Sequence, residues 1–187
     1  MTATPKPPQF LTVPNQLTFL RLGFLPVFLL LVMDGHYKWA LAVLLLAAVS
    51  DALDGWLART LNQRTALGAY LDPIADKLLL SSSFLVLSLR GKIVWWLTTI
   101  VLTRDILMLT AAVVIILVVG YRPFPPTIYG KWTTFLQILL VFTTVTQAAF
   151  PALRLSYAPV VLRYLVAAIT TFSAFHYSVV VSRRLSA

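Results

Sequence analysis

Apolar residues in this chain fall in six long runs, and no other feature limits the possible folds so sharply. The runs lie at about 17–33, 38–59, 73–89, 93–119, 131–150 and 159–181. A hydrocarbon layer about 30 Å thick is crossed by about 20 residues of helix. Runs of this length predict an all-α integral membrane protein, a bundle of six transmembrane helices. Pro26, inside the first run, is read as a tolerated kink. With 59% hydrophobic residues and a mean hydropathy of +0.87 over 187 residues, a soluble domain would lack polar surface. The chain has no cysteine, which excludes disulfides and thiolate metal sites. Its net charge of +9 sits mostly at the ends of the runs. Membrane lipids and phosphate-bearing substrates are therefore the expected partners, and nucleic acid is not.

Residues 1–11 are polar and proline-rich, with no basic start, apolar stretch and cleavage site of a signal peptide. Six spans put both termini on one side. That side would carry Lys6, Arg59, Arg64, Arg122, Lys131, Arg183 and Arg184, against Lys38, Arg90, Lys92, Arg154 and Arg163 on the other. The excess places the termini inside. There is no internal repeat, so residues 1–187 are read as a single domain, with 1–16 as a cytoplasmic or interfacial segment. The stretch 120–130, rich in proline and ending in glycine, reads as a loop.

The acidic residues are all aspartates: Asp34, Asp51, Asp54, Asp72, Asp76 and Asp105. Asp51, Asp54, Asp72 and Asp76 lie between Ser50 and Lys77, beside or inside apolar helices. An aspartate at the centre of a spanning helix costs about 2.5 to 3.5 kcal/mol, so a functional site is the default reading. Asp51 and Asp54 are three apart and share a helix face, with Gly55 and Ala58 keeping the stripe free of bulk. Asp72 and Asp76 are four apart at the start of the third run. A loop around 60–71 brings both pairs to one membrane side. Asp51 precedes Arg59 by eight residues, which sets it roughly a dozen Å inside the helix end. The expected site is a polar cavity below the membrane surface, open to the cytoplasm. Four carboxylates there call for a divalent cation, and all-oxygen ligands suit Mg²⁺, Mn²⁺ or Ca²⁺. Arg59, Arg64 and Lys77, with Lys131 from the next inner loop, could hold phosphate oxygens. A metal, a phosphate clamp and a spare carboxylate as base are the parts of a phosphoryl-type transfer.

The plainer reading of these aspartates is a set of ion pairs with Arg59, Arg64 and Lys77, and Asp72-Pro73 also fits a helix N-cap followed by proline. Arg104 and Asp105 either pair with neighbours inside the bundle or touch a substrate. Asn15 and Arg21 are interfacial anchors or phosphate ligands. His36 and His176 sit near span ends and read as interfacial. The tryptophans, Trp39, Trp56, Trp95, Trp96 and Trp132, mostly lie near span ends as an aromatic belt would.

The pattern Asp51-x2-Asp54-Gly55-x2-Ala58-Arg59-x8-Gly68-x3-Asp72-x3-Asp76 resembles, complete and correctly spaced, the signature of the CDP-alcohol phosphatidyltransferases. Pro14-Asn15-x2-Thr18-x2-Arg21 is similar to the element that often precedes that family's first span. The resemblance implies that Asp51, Asp54 and Asp72 hold two metal ions, Mg²⁺ or Mn²⁺. It implies that Asp76 is the general base and also shares a metal. Gly55, Ala58 and Gly68 would make room for the cytidine nucleotide, Arg59 would contact its phosphates, and Asn15, Thr18 and Arg21 would join the CDP-lipid site. Arg64, Arg104 and Lys131 would bind the acceptor. A homodimer is implied too, and a bacterial inner membrane suits the short chain.

The segment from Asn62 to Lys77 resembles the branch acting on glycerol-type acceptors, in which two activities compete. One uses glycerol 3-phosphate and makes phosphatidylglycerol phosphate. The other uses phosphatidylglycerol and is the CMP-forming cardiolipin synthase. Gly130-Lys131-x2-Thr134-x2-Gln137 is similar to a segment of both. Arg104-Asp105 and the residues after it look more like the cardiolipin synthase. No basic residue lies between Arg104 and Arg122, which disfavours a free glycerol phosphate. An intramembrane prenyltransferase and a cation transporter are the remaining alternatives. The first would need a second aspartate-rich element, and the second is often built from inverted repeats.

Overall fold

The computed structural model describes residues 13–60, 66–119, 128–153 and 157–185, with the backbone alone at 13–19, 21, 51–60, 66–75, 111–119 and 177–185. Its helices are α1 (Val13–Met33), α2 (Tyr37–Thr60), α3 (Ala66–Leu89), α4 (Trp95–Val119), α5 (Ile128–Ala149) and α6 (Tyr157–Leu185), with one 3₁₀ turn at Pro151–Leu153. The chain is all-helical over the described residues, as the apolar runs predict. Pro26 lies within α1 without ending it.

Two helix starts differ from the sequence expectation. The third helix begins at Ala66 rather than Pro73, so Asp72 and Pro73 lie inside it and Asp72 is not its N-cap. Ala66, Leu67, Ala69 and Leu71 are strong helix formers, and they carry the helix through Gly68. Proline has a helix-compatible φ and costs chiefly a missing N–H, here the one that would bond the Ala69 carbonyl. α5 begins at Ile128, inside the stretch expected to be a loop.

The chain divides into two compact units, Met1–Val86 and Leu87–Ala187. In the first, α1 packs on α2 as a hairpin. Its turn is a helix stop in which Gly35 has φ 80°, the His36 amide donates to Leu31 O at 2.8 Å and the Gly35 amide to Val32 O at 3.1 Å. Glycine has no Cβ to oppose that left-handed backbone. Phe28 and Val32 of α1 are buried, as are Ala40, Leu41 and Ala47 of α2, whose two alanines let the helices approach closely.

The second unit repeats the stop at the end of α3. Gly91 has φ 66° and the Lys92 amide donates to Leu87 O at 2.8 Å. The chain then turns into α4, and the buried hydroxyls of Ser88 and Thr98 meet across the turn at 2.5 Å. α6 packs against both α4 and α5. Trp96 lies 6.1 Å from Tyr164 between ring centroids, and eight residues further along α4 Arg104 reaches Ser173. α4 and α6 therefore run parallel. Tyr129, at the start of α5, packs at 5.0 Å on both Phe172 and His176 towards the other end of α6, so these two helices are antiparallel.

Two helical segments among the described residues are long and apolar enough to cross a membrane, Ile128–Ala149 and Tyr157–His176. Only 39% and 22% of their apolar windows are buried, so neither is the enclosed core helix of a soluble domain. The described tryptophans Trp39, Trp95, Trp96 and Trp132 are exposed and lie close to helix starts, the arrangement of an interfacial belt.

Candidate active site

The aspartate pattern is carried by two helices. Asp51, Asp54, Gly55, Ala58 and Arg59 lie in the last turns of α2, and Gly68, Asp72 and Asp76 in the first turns of α3. Each aspartate pair is held about one turn apart by helix backbone, at the α2 end and the α3 start that flank residues 61–65. Because α3 starts seven residues earlier than the sequence suggested, Asp72 and Asp76 occupy its second and third turns, where the helix and not a flexible loop fixes their spacing.

Asp76 is the one member of the four with a described side chain. It is half-buried, and neither it nor the adjacent Lys77 lacks an interaction partner. The side chains of Asp51, Asp54, Gly55, Ala58, Arg59, Gly68 and Asp72 lie outside the described residues, as do those of Asn15, Thr18 and Arg21 on α1. Arg64 falls in 61–65 and lies outside them altogether. Among the described residues no group of three or more acidic or histidine side chains is gathered for a metal ion. The expected metal ligands are thus placed by their backbones.

In the second unit, Arg104 and Asp105 are both buried, at 3% exposure. Arg104 Nη1 donates to Asp105 Oδ1 at 2.7 Å, and Nη2 makes a long contact of 3.5 Å with Ser173 Oγ on α6. Neighbouring residues on a helix point about 100° apart. The length of the arginine side chain, folded back on its neighbour, closes that gap. Lys131, near the start of α5, is exposed. His36 is exposed beside the α1–α2 turn, whereas His176 packs against Tyr129 and Phe172.

Sequence reasoning overlooked a line of buried polar groups on α5 and α6. Thr133, Gln137 and Thr144 share the buried face of α5, and Thr170 and Ser173 are buried on α6. The signal was present as Thr133, Gln137 and Thr144 at helical spacing among apolar residues. A cavity of about 230 Å³ lies between α4 and α6, lined by Thr99, Thr103, Arg104 and Leu107 on one side and Thr170 and Ala174 on the other.

Comparison with known proteins gives a coherent picture. The family model described as CDP-alcohol phosphatidyltransferase matches residues 11–180. A cardiolipin synthase (CMP-forming) of Streptomyces coelicolor is 40% identical over 131 residues, covering 67% of this chain and 60% of that protein. A Mycobacterium tuberculosis protein named "Probable phosphatidylglycerophosphate synthase" is 37% identical over 133 residues, 68% of this chain and 62% of the relative. The human cardiolipin synthase (CMP-forming) is 33% identical over 159 residues, 74% of this chain and 52% of the relative. The chain spans less than two thirds of the length of each of these relatives.

Proposed function

Because this chain belongs to the CDP-alcohol phosphatidyltransferase family, we propose that it transfers the phosphatidyl group of CDP-diacylglycerol to a glycerol-type acceptor and releases CMP, in phosphatidylglycerol and cardiolipin synthesis. The observation that carries this reading is the unbroken Asp51 to Asp76 pattern on the end of α2 and the start of α3. The names of the relatives point to the same two products.

The donor set, four carboxylates in two pairs each one helical turn apart, fits divalent cations of the Mg²⁺ or Mn²⁺ kind. Asp51, Asp54, Asp72 and Asp76 would hold them. When bound, such ions neutralise pyrophosphate charge and polarise the phosphorus centre. The chain's own groups do the rest. Gly55, Ala58 and Gly68 leave room for the cytidine nucleotide, and Arg59 contacts its phosphates together with Asn15, Thr18 and Arg21. Asp76 takes the proton of the acceptor hydroxyl. The freed oxygen attacks the lipid-side phosphorus, the bond from that phosphorus to the bridging oxygen breaks, and CMP leaves with the electron pair. Arg64, Arg104 and Lys131 bind the acceptor.

Phosphatidylglycerol is the favoured acceptor, which makes the activity that of a cardiolipin synthase. Arg104 already bonds Asp105 at 2.7 Å, so it offers little surplus charge to a free glycerol phosphate dianion. Glycerol 3-phosphate is the second reading, with exposed Lys131 supplying the missing cation. All six helices would span a bacterial inner membrane as one domain, with both termini and the aspartate cavity on the cytoplasmic side, and the protein would work as a homodimer.

The test is a transfer assay on the purified protein with CDP-diacylglycerol and Mg²⁺ or Mn²⁺, offering phosphatidylglycerol or glycerol 3-phosphate separately. Cardiolipin and CMP are the expected products with the first, and chelation of the metal abolishes both. Asp76→Asn should stop turnover while nucleotide and metal still bind. Turnover retained in that variant would remove Asp76 as the base.

A further inference from the structure

Arg163 is a cation on the inward stripe of α6. Pro159, Arg163, Val166, Thr170 and Ser173 recur every three or four residues, and all but Arg163 are buried. Arg163 is half-buried, and its Nε is enclosed with no hydrogen-bond partner among the described residues. Its own unit has no spare carboxylate to balance it. Asp105 is the one acidic residue in the sequence from Leu87 to Ala187, and Arg104 already bonds it at 2.7 Å. A cation held against an apolar bundle without a counter-charge is costly.

The register of α5 and α6 adds a second polar atom at the same place. Tyr129 packs on both Phe172 and His176. Counting along the antiparallel pair from there sets Leu140 level with Arg163, and Thr144 one turn further on, level with Pro159. Side chains on a helix lean towards its N-terminus. Arg163 and Thr144 stand on antiparallel helices, so they lean towards each other. Thr144 is on the buried face of α5 at 5% exposure, and its Oγ1 also has no partner among the described residues.

Aromatic side chains mark the depth of this place. Tyr164, next to Arg163, lies 6.1 Å between ring centroids from Trp96 near the start of α4. Trp95, Trp96 and Tyr164 are all exposed. Exposed tryptophan and tyrosine gather at the level of lipid head groups. Arg163 follows Tyr157, the first residue of α6, by six residues, about 9 Å of helix. An arginine leaning that way carries its guanidinium up to the phosphate layer. A guanidinium fork donates two N–H bonds and the threonine hydroxyl a third, a set that matches a phosphate in both geometry and charge.

We propose that Arg163 and Thr144 bind the phosphate of an anionic membrane phospholipid, seated between α5 and α6 at the end where α6 begins. The lipid supplies the counter-charge that this unit lacks and ties the two helices together there. Neither residue takes part in the transfer step. The inference rests on the reading of the chain as membrane-spanning and is independent of which acceptor it uses.

The test reads the melting temperature of the purified full chain in an uncharged detergent, with divalent metal chelated and no CDP-lipid present. Phosphatidic acid, phosphatidylcholine or inorganic phosphate is added separately. Phosphatidic acid carries its charge on phosphate alone and has no head-group alcohol to serve as acceptor. At ten times its half-saturating concentration it should raise the wild-type melting temperature by about 3 to 6 °C. Phosphatidylcholine and inorganic phosphate at the same concentration should do far less. Arg163→Gln should lose the shift, and Arg163→Lys, a point charge in place of a fork, should keep about half of it. Arg90→Gln removes an exposed cation at the α3–α4 turn and should keep it whole. Thr144→Val should reduce the shift, yet melt no lower than wild type without lipid, because its hydroxyl has no partner to lose. It carries the test if Arg163→Gln does not fold. A full shift in Arg163→Gln or Thr144→Val overturns the site, as does an equal loss in Arg90→Gln or an equal shift with phosphatidylcholine. An equal shift with inorganic phosphate overturns the lipid as the source of the anion. A protein that purifies without detergent overturns the membrane-spanning reading itself, and the site with it.

Discussion

Removing Asp105 should destabilise this protein more than removing both members of its ion pair. Arg104 and Asp105 are buried to 3% and 5% exposure at the side chain, and their contact is 2.7 Å. The guanidinium also contacts Ser173 Oγ, at 3.5 Å, the edge of hydrogen-bonding distance, and Arg104 Nε has no partner among the described residues. Asp105→Leu therefore leaves a cation in the bundle with almost nothing to offset its desolvation. Breaking a buried pair from one side costs about 3 to 5 kcal/mol. For a chain of this size that corresponds to roughly 10 °C in melting temperature. Asp105→Asn keeps an oxygen acceptor for Nη1 and should lose about half as much. The double variant Arg104→Met, Asp105→Leu replaces both charges by apolar groups of similar volume, and should return to within about 1 kcal/mol of wild type. Thermal unfolding of the purified protein in one detergent, closed into a double-mutant cycle, reads the coupling directly. A double variant as unstable as the sum of its two single variants would refute the argument, since the two charges would then be acting independently.

Four further substitutions, at three positions, probe the turns and the α1 surface. Gly91→Ala should cost about 1 to 2 kcal/mol purely through the backbone, because φ is 66° and a Cβ there would meet nothing within 4 Å. Gly91→Asn should cost less, and melting temperatures rank the two. Gly23→Ala, in the α1 interior and also with open space around a Cβ, should be neutral or raise stability by up to about 1 kcal/mol. Thr98→Val removes one partner of the buried Ser88 contact and should cost about 1 to 3 kcal/mol. An unchanged melting temperature would show that water replaces the lost hydroxyl.

The aspartate pattern was fully legible in the sequence, because a three- or four-residue spacing on a helix fixes which side chains share a face whatever packs around it. The start of the helix that carries Asp72 was not. Residues 60–71 read as a loop and Asp72-Pro73 as the cap and first position of the helix, yet local helix formers from Ala66 to Leu71 outweighed one glycine and one missing N–H. Arg104 posed the opposite problem. Its neighbour Asp105 is adjacent in sequence and points elsewhere on an ideal helix, so only the folded structure, with both side chains buried and Nη1 2.7 Å from Oδ1, shows that they pair.

Chemical identity and helical periodicity act locally. By themselves they determined that this chain is helical and apolar and that its aspartates come in pairs one turn apart; the family followed from the resemblance of that pattern to a known signature. Burial depends on which faces of distant segments meet. The tertiary structure alone decided that Gln137 and Thr170 are wholly enclosed, that α6 lies between α4 and α5 as their common partner, and that a cavity opens beside a neutralised arginine. A threonine or glutamine in an apolar run has the same sequence signature whether it faces lipid or the bundle, and only packing distinguishes the two.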